Sequence, residues 1–177
     1  MINETTTSHR HTSHLFSTTT PVLLNFLALL RFCCFWAGPI PSACSELTVL
    51  ETLDLRSNSI NGMIPDAIGQ ATSLTSLWLS SNEIKGQIPS SIGDSLANLR
   101  FLGMSKNHLE GPIPASFGNL QKLESLQLYD NLLEGVVPAC MQHLTSLQML
   151  VLWVSVCYLS TAAVSAAATR LTNNSSC

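Results

Sequence analysis

An asparagine recurs at Asn58, Asn82, Asn107 and Asn131, in steps of 24, 25 and 24 residues, and the residues around it recur with it. A glycine follows each at the same distance (Gly62, Gly86, Gly111, Gly135), and then a proline (Pro65, Pro89, Pro114, Pro138). The shared pattern is L-x-x-L-x-L-x-x-N-x-[IL]-x-G-x-[IV]-P. Self-similarity at such a period is the signature of a chain made of stacked small units, and it overrides any local reading of secondary structure. Four full repeats result. One step back from the first lands on Gly38, Ile40 and Pro41, and one step forward from the last lands on Leu147, Leu150 and Leu152, with Ser155 in place of asparagine. Half a repeat therefore precedes the four, and a degraded one follows.

Within each unit the L-x-L core, such as Leu53-Asp54-Leu55, alternates as a short strand does, so stacked units share one parallel sheet. About seven apolar residues per unit point inward, in the first repeat Leu47, Leu50, Leu53, Leu55, Ile60, Ile64 and Ile68. Burying so few side chains cannot offset the entropy of ordering a whole unit, so stability has to come from neighbours that bury both flanks. The asparagine column has a matching structural reason. Where the chain turns off the sheet, a buried amide satisfies backbone donors and acceptors that no strand partner reaches. The glycine permits a positive φ, and the proline stiffens the extended segment after it. Asn58, Asn82, Asn107 and Asn131, with their glycines and prolines, are assigned to the scaffold and to no chemistry.

Of the 177 residues, 46% are apolar and 11% charged, enough for a core and incompatible with disorder throughout. A net charge of −3, with the basic residues scattered, points away from nucleic acid. Six cysteines stand at 33, 34, 44, 140, 157 and 177 without a C-x-x-C pair, which argues against a thiol metal site.

The segments 74–89 (LTSLWLSSNEIKGQIP), 99–114 (LRFLGMSKNHLEGPIP) and 123–138 (LESLQLYDNLLEGVVP) resemble the plant-specific leucine-rich repeats of receptor-like kinases, receptor-like proteins and polygalacturonase inhibitors. The resemblance covers residues 38 to about 157. It implies an α/β repeat solenoid, a leucine-rich-repeat horseshoe with short parallel strands on its concave face and a 3₁₀ or irregular convex side. It further implies a protein or peptide ligand, a co-receptor kinase as a second partner, and a place outside the cell or on the outer face of the plasma membrane. A cytoplasmic location stays open, and so do two other functions: a soluble inhibitor of a secreted hydrolase, or a truncated piece of a receptor.

The flanks divide into a Ser/Thr/His-rich stretch at 1–20, an apolar segment at 21–37 and an Ala/Ser-rich stretch at 158–177. Residues 22–30 suit a signal-peptide h-region, although Glu4 and the distant Arg10 make a poor n-region. Cys33-Cys34-Phe35-Trp36-Ala37-Gly38 resembles the start of the C-C-x-W-x-G-V-x-C cap of plant arrays, but Pro39-Ile40-Pro41 departs from it. The next cysteine, Cys44, falls in the core column of Ile68, Ile92, Phe117 and Met141 and reads as a small buried hydrophobe. Residues 149–168 carry no charge and are long enough to cross a bilayer, yet Leu150 and Leu152 keep repeat register, which fits a fifth strand and an irregular tail equally well. The sequons at Asn3, Asn173 and Asn174 lie in these flanks.

Since inward positions are taken by packing, recognition has to be written on outward strand positions, which form three columns. The first is Thr52, Ser76, Phe101, Ser125 and Met149; the second Asp54, Trp78, Gly103, Gln127 and Val151; the third Arg56, Ser80, Ser105, Tyr129 and Trp153. Trp78, Phe101 and Tyr129 fall on successive strands roughly 4.8 Å apart, with Gly103 leaving space beside Trp78, and are candidate anchors for a ligand. Asp54, Arg56, Lys106, Gln127 and Asp130 are the candidate polar rim. The competing reading is that the aromatics only pack on one another. His9, His11 and His14 sit in polar low-complexity sequence, and His108 and His143 at outward positions, so no metal site is assigned. H-E-x-x-H, P-loop, G-x-S-x-G and kinase signatures are absent, and neither an enzyme nor a cofactor is expected.

Overall fold

The computed structural model describes residues 37–152. The apolar segment up to residue 36, the cysteine-tryptophan motif apart from Ala37 and Gly38, the sequons, Trp153 and nearly all of 149–168 lie outside the described residues. Among those described, the L-x-L cores form strands β2 (Thr52–Asp54), β4 (Ser76–Trp78), β6 (Phe101–Gly103), β8 (Ser125–Gln127) and β10 (Met149–Val151). They make one parallel sheet in the order β10-β8-β6-β4-β2. Register follows the repeat: Leu53 pairs with Leu77, Leu77 with Leu102, Leu102 with Leu126 and Leu126 with Leu150. The degraded last unit thus contributes a fifth strand.

A second parallel sheet, which periodicity did not anticipate, runs along the x-[IL]-x-G segments. It comprises β1 (Ala37–Pro39), β3 (Ser59–Gly62), β5 (Glu83–Gln87), β7 (His108–Gly111) and β9 (Leu132–Leu133), in that order. Here each unit advances against the last, so that Gly38 pairs with Ile60, Gly62 with Ile84, Gly86 with Leu109 and Gly111 with Leu133. The repeat glycine has a positive φ as expected, 79° at Gly86, and the close approach of units adds a second reason for it. A Cβ at Gly86 would lie 2.9 Å from Met63 Cγ.

On the opposite side the units are closed by five-residue turns. Four are 3₁₀ (Ser42–Glu46, Asp66–Gln70, Ala115–Asn119, Ala139–His143) and one is α-helical (Ser91–Ser95). The chain after each proline is therefore helical and not extended, a correction to the sequence reading. The proline itself is the extended residue, φ −73° and ψ 142° at Pro65, and its carbonyl accepts the amide three residues on: Ile68 from Pro65, Phe117 from Pro114 and Met141 from Pro138. Successive turns touch through Gly69, Gly93 and Gly118. A Cβ at Gly93 would come within 2.3 Å of the Ser116 carbonyl carbon.

The core is a single cluster made mostly of leucine and isoleucine, with Leu77, Ile84, Leu102, Leu109, Phe117 and Leu126 wholly buried. Cys44 belongs to it, and desolvation pushes its thiol up to about 11, so at neutral pH it is an uncharged core residue. Towards the ends burial weakens: Leu53, Leu55, Leu147, Leu150 and Leu152 are only half-buried.

The asparagines join the units. Asn107 Nδ2 donates to the carbonyls of Met104 (3.1 Å) and Ser105 (3.3 Å) in its own unit and of Leu79 (3.0 Å) in the preceding one, while its Oδ1 accepts from the Ile84 amide (3.0 Å). Asn82 and Asn131 repeat the arrangement with Leu55 and Ile60, and with Met104 and Leu109. Immediately before each asparagine, Ser57, Ser81, Lys106 and Asp130 adopt left-handed backbone, φ 54–60°, which turns the chain off the sheet. Asn107→Ala, which orphans these buried groups, is expected to lower unfolding stability by about 1–3 kcal/mol. Asn107→Asp should be no better, because it replaces the donor facing three carbonyls. Chemical denaturation measures both, and an unmoved midpoint would contradict the ladder.

Candidate functional site

The outward columns come together rung by rung: Asp54 beside Trp78, Trp78 beside Gly103, Gly103 beside Gln127, and Phe101 between Ser76 and Ser125. Small residues beside large ones let the large ones lie down. Trp78 lies across Gly103, where a Cβ would sit 2.5 Å from its Cε3 and 2.8 Å from its Cζ3. Its ring stacks on Phe101 with centroids 6.1 Å apart and planes inclined by 20°.

An arginine closes each end of this pair. The Arg56 guanidinium carbon stands 4.9 Å from the Trp78 ring centroid, and that of Arg100 stands 5.6 Å from the Phe101 centroid. Both are matched by carboxylates. Arg56 Nε and Nη2 donate to Asp54 Oδ1 and Oδ2 at 2.9 and 2.6 Å, and the hydrogen bonding to Asp54 raises the Arg56 pKa above its ordinary value. Arg100 Nε and Nη2 lie 2.8 and 2.6 Å from Glu124 Oε1. Asp54, Arg56, Trp78, Phe101, Arg100 and Glu124 thus form one diagonal from β2 across β4 and β6 to the residue just before β8, charge-neutral overall.

Of the eight residues singled out from sequence, the structure brings Asp54, Arg56, Trp78 and Phe101 into contact. The other four stand apart. Tyr129, two residues past β8, makes no ring contact with Trp78 or Phe101 among the described residues. Gln127 donates to Ser125 Oγ at 3.3 Å and reaches Met149 Sδ at 3.6 Å. Lys106 and Asp130 are exposed at the left-handed turn, on the rim. Sequence reasoning missed Arg100 and Glu124, because only strand columns were read. The adjoining column, Glu51, Thr75, Arg100, Glu124 and Gln148, carries opposite charges on neighbouring rungs and would have revealed them.

Residues 48–109 and 97–153 match the family described as Leucine rich repeat, and together they span more than half of the chain. The chain belongs to the leucine-rich-repeat family. Solved structures similar to it include plant receptor ectodomains. The Arabidopsis receptor kinase HAESA, in complex with the peptide hormone IDA and the co-receptor SERK1, is 42% identical over 70% of this chain and 21% of its own, with a TM-score of 0.63. The ectodomain of the Arabidopsis thaliana receptor kinase SOBIR1 is 29% identical over 70% of this chain and 66% of its own, TM-score 0.65. The BIR2 ectodomain of the same plant is 35% identical over 63% and 57%, TM-score 0.57. This leucine-rich-repeat chain therefore spans about a fifth of the HAESA chain. No curated protein matches it in sequence.

Gly103→Ala is expected to lift the Trp78 indole from the sheet, since a methyl cannot occupy the same space. Near-ultraviolet circular dichroism should lose the Trp78–Phe101 signal, with a stability loss of about 1–3 kcal/mol. An unchanged aromatic spectrum would contradict the packing described.

Proposed function

We propose that this chain is a protein- or peptide-binding module of plant cell-surface recognition, with the diagonal of Asp54, Arg56, Trp78 and Phe101 as the centre of its binding face and Tyr129, Gln127, Lys106 and Asp130 as its flank. The observation that carries the reading is the Trp78–Phe101 stack on an outward face: both rings are only half-buried, on the one sheet side that the core does not use. Aromatic and arginine side chains held rigid before binding lose little entropy when a partner lands on them, and such groups dominate binding energy at interfaces.

The relatives support the same class of partner. HAESA is seen with a peptide hormone and a co-receptor, and a peptide ligand with a co-receptor kinase is the partner set proposed for this chain. Its proposed place is the cell exterior, in keeping with the ectodomain nature of the relatives. Among the described residues no helix is long and apolar enough to cross a membrane.

The test begins with dodecapeptides selected from a displayed random library on the immobilised full chain, each then made synthetically. Trp78→Ala should weaken their binding by about 30-fold or more, as loss of a hot-spot aromatic does, while the variant still melts cooperatively. Affinity unaltered by the substitution, or failure to select any peptide, would remove this face from consideration.

A further inference from the structure

One buried side-chain hydroxyl, that of Ser105, has no hydrogen-bond partner among the described residues. Ser105 stands two residues past β6, next to Met104, which is wholly buried in the core, and in the column of Arg56, Ser80 and Tyr129. It is only 1% exposed, and its Oγ is the one buried side-chain nitrogen or oxygen among the described residues with no hydrogen-bond partner. Its backbone is fully engaged: the amide donates to Ser80 Oγ at 3.2 Å, and the carbonyl accepts from Ser81 N at 2.9 Å and from Asn107 Nδ2 at 3.3 Å. Only the hydroxyl is left over.

Ser80 links Ser105 to the position beneath the aromatic stack. Ser80 Oγ, the acceptor of the Ser105 amide, is 3.3 Å from where a Gly103 Cβ would stand, under the edge of the Trp78 ring. Ser80 Oγ, at the same repeat position, accepts the Ser105 amide, but the Ser105 hydroxyl has no such bond, and alanine would fill nearly the same space without burying an unpaired polar group. A side chain that costs stability in the free protein and is linked through Ser80 to the candidate anchors has the character of a binding group, with its partner supplied from outside.

Resting on the peptide-binding reading above, we propose that the Ser105 hydroxyl is a buried anchor of the site, donating a hydrogen bond to a neutral acceptor of the bound peptide, a backbone or side-chain amide carbonyl. The acceptor is neutral because the position itself is dry: Arg56 and Arg100 are each matched by a carboxylate, Asp54 and Glu124, and the neighbouring Lys106 is exposed on the rim. A carboxylate driven into this dry position would be left unpaired. The ligand reaches Ser105 by shifting the side chains that cover it.

This predicts two opposite effects of one substitution. In the full chain, Ser105→Ala should raise the melting temperature by about 2–5 °C, because an unpaired buried hydroxyl is removed. The same variant should bind the peptides selected on the wild type about tenfold more weakly, with little dependence on salt. An unchanged or lowered melting temperature would mean that the hydroxyl is satisfied in the free protein and would overturn the proposal. Undiminished peptide affinity would overturn it as well, and so would selected peptides whose Ser105-dependent contact is a carboxylate. If Trp78→Ala abolishes binding and Ser105→Ala does not, the binding face stands and the anchor falls. If no peptide is selected at all, both fall.

Discussion

A buried side-chain amide that hydrogen-bonds to two repeats at once is the interaction on which the rest of this molecule depends. Each unit is too small to fold alone, so the array exists only as far as neighbours are held in register. Leucines supply the burial, but apolar contact is non-directional and tolerates slippage. The amides of Asn82, Asn107 and Asn131 do not, because each must meet carbonyls of its own unit and both a carbonyl and an amide of the one before. The left-handed residues before them, Ser57, Ser81, Lys106 and Asp130, are the backbone geometry that this bonding requires.

The outward face follows from that register. With every unit fixed against the next, Trp78 falls opposite Gly103 and Phe101 between two serines, and the rings can lie stacked across the sheet. The arginines are then held over ring faces by carboxylates from their own or the following unit. Exposed ion pairs of this kind contribute little stability; what they add is orientation and a neutral surface. A slip of one residue anywhere in the array would reverse which side chains face outward and dissolve the cluster.

Most of the architecture was legible before any coordinates, because it is written in positions that must be identical in every unit. The strands at the L-x-L cores, the outward columns and the buried place of Cys44 all came from counting in register. The second sheet was not, because segments such as Ser59–Gly62 are short, largely polar and strand-like only through a neighbour displaced by two residues. Likewise, Gly69, Gly93 and Gly118 looked like ordinary turn residues, whereas their role is to admit Ser91, Ser116 and Cys140 of the next turn. In the site, the column rule brought out Asp54, Arg56, Trp78 and Phe101 but not Arg100 and Glu124, which lie just ahead of the strands. The burial of Ser105 depends on how neighbouring side chains lie down, which no column reveals.

If the asparagines lock the repeats into one cooperative body, the amides they accept should report it. Native-state hydrogen exchange of Ile60, Ile84 and Leu109, whose N–H groups donate to Asn82, Asn107 and Asn131, is the most direct measurement. All three are expected to exchange only through global unfolding, with opening free energies within about 1 kcal/mol of one another and of the Leu79 amide, just past β4, which donates to the Gly103 carbonyl. Exchange of any of them at the rate of an exposed turn, while Leu79 stays protected, would show that the repeats are held by apolar contact alone and would contradict the account.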